Sequence, residues 1–296
     1  MSLKSLVELG LLHSGAAALH RRRMRGRGLV LAYHNILPDG VAPAGDRSLH
    51  LPARRFAEQL EAVAAVADVV PLDGLDAPAT TGRPRVAITF DDAYLGAVTA
   101  GCEALARRSR PATMFVCPGM LDGVTFWWDA LAGAELAPTH RDHALTQCLG
   151  QQARVLAWAH EAGLPVAQMP AECRSAPTAS VVALARRPGM ALGSHTWSHP
   201  SLPRLEPAEL AAELARPLDW LRMHADAPAP VLSYPYGHSS PAVAAAAAAA
   251  GYRMGLLVEG GWRGPEHPAL AVPRFNVPAG LSLAGFRLRL AGLLCR

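Results

Sequence analysis

The sequence predicts an α/β protein built on a parallel sheet, and two observations carry that prediction. Short apolar runs alternate with amphipathic helical stretches along most of the chain, as in repeated strand–helix–strand units. Chemically reactive side chains then follow several of those runs, at His34, Asp91, His195 and Tyr236. That placement fits a barrel, whose functional groups collect at the C-terminal ends of the strands. Periodicity alone does not separate a barrel from an open sheet.

Residues 1–20 read as an amphipathic helix, with Leu3, Val7, Leu11 and Leu12 at helical spacing and Leu6 and Ala18 beside the stripe. Arg21, Arg22, Arg23, Arg25 and Arg27 follow. Two roles suit residues 1–27: a helix packed on the domain surface with a solvated charge run after it, or a peripheral contact with an anionic membrane. Gly28 breaks the helix, so residues 1–28 form an arm on one domain spanning 29–296.

Residues 29–33 are the first strand, ending at His34. Pro52 opens a helix with Phe56, Leu60, Val63 and Ala64 inward. Residues 68–71 are a short strand and 78–84 a linker. A strand over 86–90 leads to Asp91-Asp92, with a helix expected over 93–108 and a strand over 112–116. Residues 120–188 read as a helical insertion after the third or fourth strand, opened by Phe126-Trp127-Trp128-Asp129, with helical patterns at 144–149, 153–160 and 180–186. Adjacent tryptophans on a helix point different ways, placing one in the core and one near the cleft. Residues 190–192 are a strand. Residues 206–224 are a helix on Leu210, Leu214, Leu218 and Leu221, bent at Pro217. After a strand at 231–234, Ser240 caps a helix with Pro241 at its first position, running through alanines to Gly251. Strands at 254–258 and 270–275 complete the pattern.

Composition excludes several classes. At 51% hydrophobic and 18% charged, the chain is globular rather than disordered. Its net charge of +4 is accounted for by the arginine cluster, leaving no extended nucleic-acid surface. No run approaches the ~18 apolar residues of a membrane span. The arginines follow the apolar N-terminal stretch instead of preceding it, the reverse of a secretory signal, so a cytoplasmic location is expected. The five cysteines (Cys102, Cys117, Cys148, Cys173, Cys295) lack C-x-x-C spacing and are odd in number, as reduced thiols would be, with Cys117 a core residue.

The chemistry concentrates in two motifs. Asp91 and Asp92 place two carboxylates at the end of a buried strand, where burial is costly and the charges repel. Capping a following helix would explain them without a ligand; a cation would remove both costs. His195 and His199 are four apart, a spacing that puts both imidazoles on one side of a helical turn. Two neutral imidazoles and one carboxylate leave a metal position open, as in hydrolytic zinc sites, with cobalt or nickel as substitutes.

Here the motifs resemble those of the polysaccharide deacetylases of the NodB-homology type, carbohydrate esterase family four. Thr89-Phe90-Asp91-Asp92 matches T-F-D-D, His195-Thr196-Trp197-Ser198-His199 matches H-[ST]-x-x-H, and Ser233-Tyr234-Pro235-Tyr236-Gly237 matches R-x-P-Y-G except at its first position. Leu31-Ala32-Tyr33-His34-Asn35 is similar to the opening strand of the exopolysaccharide-associated subgroup. The resemblance spans roughly 29–277. It implies a distorted, incomplete (β/α)7 barrel and metal-dependent removal of an N-acetyl group from an N-acetylhexosamine, in a polysaccharide or saccharide precursor. It assigns the metal to Asp92, His195 and His199, the general base to Asp91, and a backbone N–H for the oxyanion to Tyr236.

Two departures accompany it. The family arginine that orients the base is Ser233 here; Arg274 could supply the charge, or be a surface residue. The family's late histidine acid has no match; His267 and His34 are the candidates. A catalytically impaired sugar-binding homologue and an amide hydrolase with a non-sugar substrate are the alternatives. His238 lies beside the third motif, within reach of a substrate.

Overall fold

The computed structural model describes residues 3–77, 81–132, 137–225 and 229–293. The side chain of Leu3, residues 78–80 of the expected linker and Cys295 lie outside the described residues. Seven parallel strands form a ring: β1 (Gly28–Tyr33), β2 (Arg85–Phe90), β3 (Ala112–Val116), β4 (Met190–Ser194), β5 (Val231–Ser233), β6 (Met254–Gly260) and β7 (Val272–Asn276). Each pairs with the next in sequence, and β7 returns to β1. The expected seven-stranded (β/α) barrel is therefore present. Its distortion is local: β3 and β4 share five residue pairs, whereas β4 and β5 share only Ser194 with Leu232, and β7 is irregular between Val272 and Arg274.

β1, β2 and β3 are buried along their whole length. That is why they read as continuous apolar runs: a parallel strand with side chains inside the barrel and helices outside has no wet face. The helix Ala53–Val66 turns Phe56, Leu60 and Val63 inward, as the i, i+4, i+7 spacing requires. The alanine-rich helix Pro241–Ala250 starts where the Ser240 hydroxyl accepts from the Val243 N–H (3.2 Å) and stops at Gly251, whose φ of 104° suits glycine. The helix Pro207–His224 runs through Pro217 as one element. Between β3 and β4 the chain makes a mainly helical excursion, including Trp127–Ala130, Pro138–Thr146, Gln152–Glu161 and Thr178–Ala185.

Three local expectations are corrected. Residues 3–23 are two helices, Leu3–His13 and Ala16–Arg23, because Gly15 adopts a left-handed φ of 76°. The first of them packs on the helix Leu283–Leu290 with Glu8 inward, hydrogen-bonded to the Ser282 hydroxyl (2.6 Å); Val7, expected inward, is 54% exposed. After β2, regular helix does not begin at residue 93. Asp92 and Ala93 sit at φ 69° and 53°, and a π-helical turn, Ala97–Gly101, precedes the helix Cys102–Ala106. Cys102, Cys117, Cys148 and Cys173 are free and buried. Among the described residues, no helix is long and apolar enough to cross a membrane.

Candidate metal and acid–base site

The C-terminal ends of the strands open into a cleft of about 300 Å³, lined by His34, Asp91, Asp92, His195, His199, Tyr236 and Arg274 among others. His34 follows β1 and the two aspartates follow β2. Their carboxylates do not cap a helix. Arg274, on β7, holds Asp91 through two parallel bonds, Nη1 to Oδ1 (2.9 Å) and Nη2 to Oδ2 (2.7 Å). The Ser233 hydroxyl joins them, accepting from Nη2 (2.9 Å) and donating to Oδ2 (3.1 Å). Burial alone would raise the Asp91 pKa. The Arg274 guanidinium, followed by the charge of His195, outweighs it and holds the carboxyl below the usual range. Arg274 is itself 1% exposed and is anchored by Nε on the Leu257 carbonyl (2.6 Å).

Asp92 is the opposite case. Burial and then the neighbouring Asp91 charge push its pKa well up, and its Oδ1 has no hydrogen-bond partner among the described residues. Oδ1 lies 3.5 Å from Nε2 of both His195 and His199, whose Nε2 atoms are 3.1 Å apart. In the plane of the three atoms, the equidistant point lies about 2.0 Å from each, close to the length of zinc–nitrogen and zinc–oxygen bonds. The His195 Nδ1–H donates to the Ser233 carbonyl (2.7 Å), so Nε2 of a neutral ring presents its lone pair inward. Burial lowers the pKa of both imidazoles, which favours the neutral, metal-ligating form. Two lone pairs and a carboxylate oxygen facing one another repel unless a cation lies between them, so these residues fit a divalent metal ion.

The two histidines are not on a helical turn. Residues 195–200 form an irregular loop in which Thr196 and His199 take left-handed φ of 68° and 60°. Glu213, on the helix Pro207–His224, holds the loop: its carboxylate accepts from the N–H groups of Trp197 (2.9 Å) and Ser198 (2.8 Å) and from the Ser198 hydroxyl (2.7 Å). The sequence signal for Glu213 was an acid one helical turn after Leu210, on the edge of an otherwise apolar stripe.

Tyr236 follows β5 in a tight turn with φ 57°. Among the described residues, its N–H takes no part in a backbone hydrogen bond. Its ring packs edge-on to His199 (centroids 4.5 Å apart), and its hydroxyl accepts from Trp127 Nε1 (3.0 Å). Trp127 is core, while Trp128 lines the cleft against His199 (4.7 Å), as two successive helical positions would. Asp129, also unassigned by motif, fixes Trp128 indirectly. It accepts from the Tyr94 hydroxyl (2.6 Å), which accepts from Trp128 Nε1 (2.8 Å), and from the Asp46 N–H (2.9 Å).

His34 borders the cleft; burial, opposed by the Asp91 charge, lowers its pKa to about 4. His238 also lines it. His267 does not. Its Nδ1 accepts from the Gly264 N–H (3.1 Å), and the preceding Glu266 pairs with Arg27, just before β1 (3.1 Å). It therefore sits at the opposite end of the barrel.

The polysaccharide deacetylase family model matches residues 79–255, more than half of the chain. No curated protein matches the sequence. Solved structures with the same fold include a polysaccharide deacetylase from Bacillus cereus (TM-score 0.63, 14% identity, 89% of this chain and 69% of that one). The Streptococcus pyogenes deacetylase PplD in complex with acetate aligns with TM-score 0.62 and 16% identity over 89% of this chain and 98% of that one. IcaB from Ammonifex degensii aligns with TM-score 0.60 and 18% identity over 90% and 96%.

Proposed function

The chain belongs to the polysaccharide deacetylase family, and on that premise we propose that it hydrolyses the N-acetyl group of an N-acetylhexosamine in a polysaccharide or saccharide precursor, using a divalent metal held by Asp92, His195 and His199. One observation carries this: of two adjacent buried carboxylates, the first is clamped by a guanidinium and the second is aimed, unpartnered, at two imidazoles.

Zinc suits two imidazoles and a carboxylate, with cobalt or nickel as substitutes, and a cation there supplies Lewis acidity toward the acetyl carbonyl. Asp91 is the base. Held ionised and oriented by Arg274, it takes the proton of the attacking water as the water oxygen bonds to the acetyl carbon. The Tyr236 N–H donates to the oxyanion that develops there. When the carbon–nitrogen bond breaks, the amine takes up the proton that Asp91 carries, leaving acetate and a free amino sugar. His34 enters the cleft as a neutral imidazole, better placed to hydrogen-bond a sugar hydroxyl than to act as an acid.

A binding-only role rested on the missing motif arginine and the missing late histidine. Arg274 supplies the first charge at Asp91 from another strand, and the leaving amine takes the acid's proton from Asp91 itself. The test is acetate release from N-acetylglucosamine oligomers by metal-reconstituted protein beside Asp91→Asn. Turnover lost in the variant supports the assignment. Saccharide binding without acetate release would make the protein a binding module, and cleavage of simple amides alone would move the substrate off sugars.

A further inference from the structure

Four of the six large hydrophobic side chains exposed among the described residues lie in one short segment: Leu6 (54%), Val7 (54%), Leu9 (37%) and Leu19 (56%). The helix Leu3–His13 is turned the unusual way round. Its one acid, Glu8, is 4% exposed and bonded to Ser282, while leucines and a valine face water. Glu8 is also the only acidic residue before Asp39, so burying it leaves the surface of this segment wholly basic. Arg22, Arg23 and Arg25 are exposed, and among the described residues none of them pairs with a carboxylate. Leu19, Arg22 and Arg23, at i, i+3 and i+4 on the helix Ala16–Arg23, share one side of it. Arg21, Arg22, Arg25 and Arg83 line a groove of about 350 Å³ against the end of the helix Ala53–Val66.

We propose that this arm docks the protein on an anionic phospholipid bilayer, with Leu6, Val7, Leu9 and Leu19 entering the headgroup–acyl boundary and Arg22, Arg23 and Arg25 on the lipid phosphates. Exposed apolar side chains and unpaired arginines on one short segment are what such an interface requires. A second copy fits worse, because a two-fold contact sets each patch against itself and would bring the unpaired arginines together. Nucleic acid would use the arginines and leave the leucines unexplained. The arm runs into the start of β1, while the cleft opens past its other end at His34, on the order of 20 Å away for six strand residues. A docked molecule therefore presents its cleft away from the lipid.

The experiment is co-sedimentation of the full chain with vesicles of phosphatidylcholine alone or mixed with phosphatidylglycerol, at low and high salt. The expected result is partitioning only onto the mixed vesicles, weakened by salt. Arg22→Glu/Arg23→Glu/Arg25→Glu should weaken it by about a hundredfold, since each basic side chain near an anionic surface contributes about fivefold. Leu6→Ser/Val7→Ser/Leu9→Ser should weaken it by at least about tenfold, with the circular dichroism of both variants unchanged. Equal binding to the two vesicle types, or binding indifferent to both variants, overturns the proposal. So does light scattering that shows a dimer which the leucine variant converts to monomer.

Discussion

Arg274 and Asp91 meet side by side, two guanidinium nitrogens on two carboxylate oxygens at 2.9 and 2.7 Å, joining the last strand of the ring to the second. A lysine keeps the charge but not the fork. Arg274→Lys should lower kcat/KM by about a hundredfold, and Arg274→Met by more, in steady-state acetate release. The pH profile supplies a second measure. The folded pKa of Asp91 lies below its unfolded value of about 3.9, so its contribution to stability is complete above that value and is lost as pH falls through the folded one. Removing the guanidinium raises the folded pKa. The acid limb of activity in Arg274→Met should therefore move to higher pH; an unmoved limb would leave Arg274 a purely structural residue.

The metal prediction is stoichiometric. Protein purified without chelator, or reconstituted with zinc, should hold about one divalent ion per chain, and Asp92→Asn and His195→Gln should each lose it. Mass spectrometry of the bound metal decides this. Full occupancy in either variant would remove that residue from the ligand set.

Glu213→Ala removes the acceptor for three hydrogen bonds in the 195–199 loop without touching a proposed ligand. Supporting residues of this kind are worth about 10- to 100-fold in metal affinity. A competition titration with a chromophoric chelator should show zinc affinity reduced by about that factor. Unchanged affinity would mean that the loop is held by its neighbours alone.

Tyr236 is assigned through its backbone. Tyr236→Phe deletes the hydroxyl that Trp127 Nε1 bonds, a loss of about 1 kcal/mol, but leaves the N–H in place. Its kcat should stay within about fivefold of wild type. A loss of about a hundredfold or more in kcat would transfer the role to the phenol.

The site residues most legible in sequence were those whose chemistry is costly without a ligand. Asp92, His195 and His199 converge as their types suggested, although the turn joining the histidines is held by left-handed residues and Glu213 rather than by helical hydrogen bonds. Arg274 was readable only as a candidate, since nothing in a linear pattern says that a guanidinium on β7 reaches a carboxylate after β2. His267 shows the converse: order along the chain does not reveal which end of a barrel a connection crosses. At the N-terminus, spacing located the apolar residues but not the side they face. There the buried side carries Glu8, bonded to Ser282.

The narrow join between β4 and β5 carries a last consequence. Where the backbones share a single residue pair, at Ser194 and Leu232, the next connection is the imidazole of His195 bonded to the carbonyl of Ser233. The side chain offered to the metal is also a stitch in the wall of the barrel. A descendant of this chain that gave up hydrolysis by discarding His195 would loosen its own architecture in the same step. Drift toward an inert scaffold is therefore easier through Asp92, whose Oδ1 has no hydrogen-bond partner among the described residues, than through Asp91, whose loss would leave the buried Arg274 guanidinium without its carboxylate.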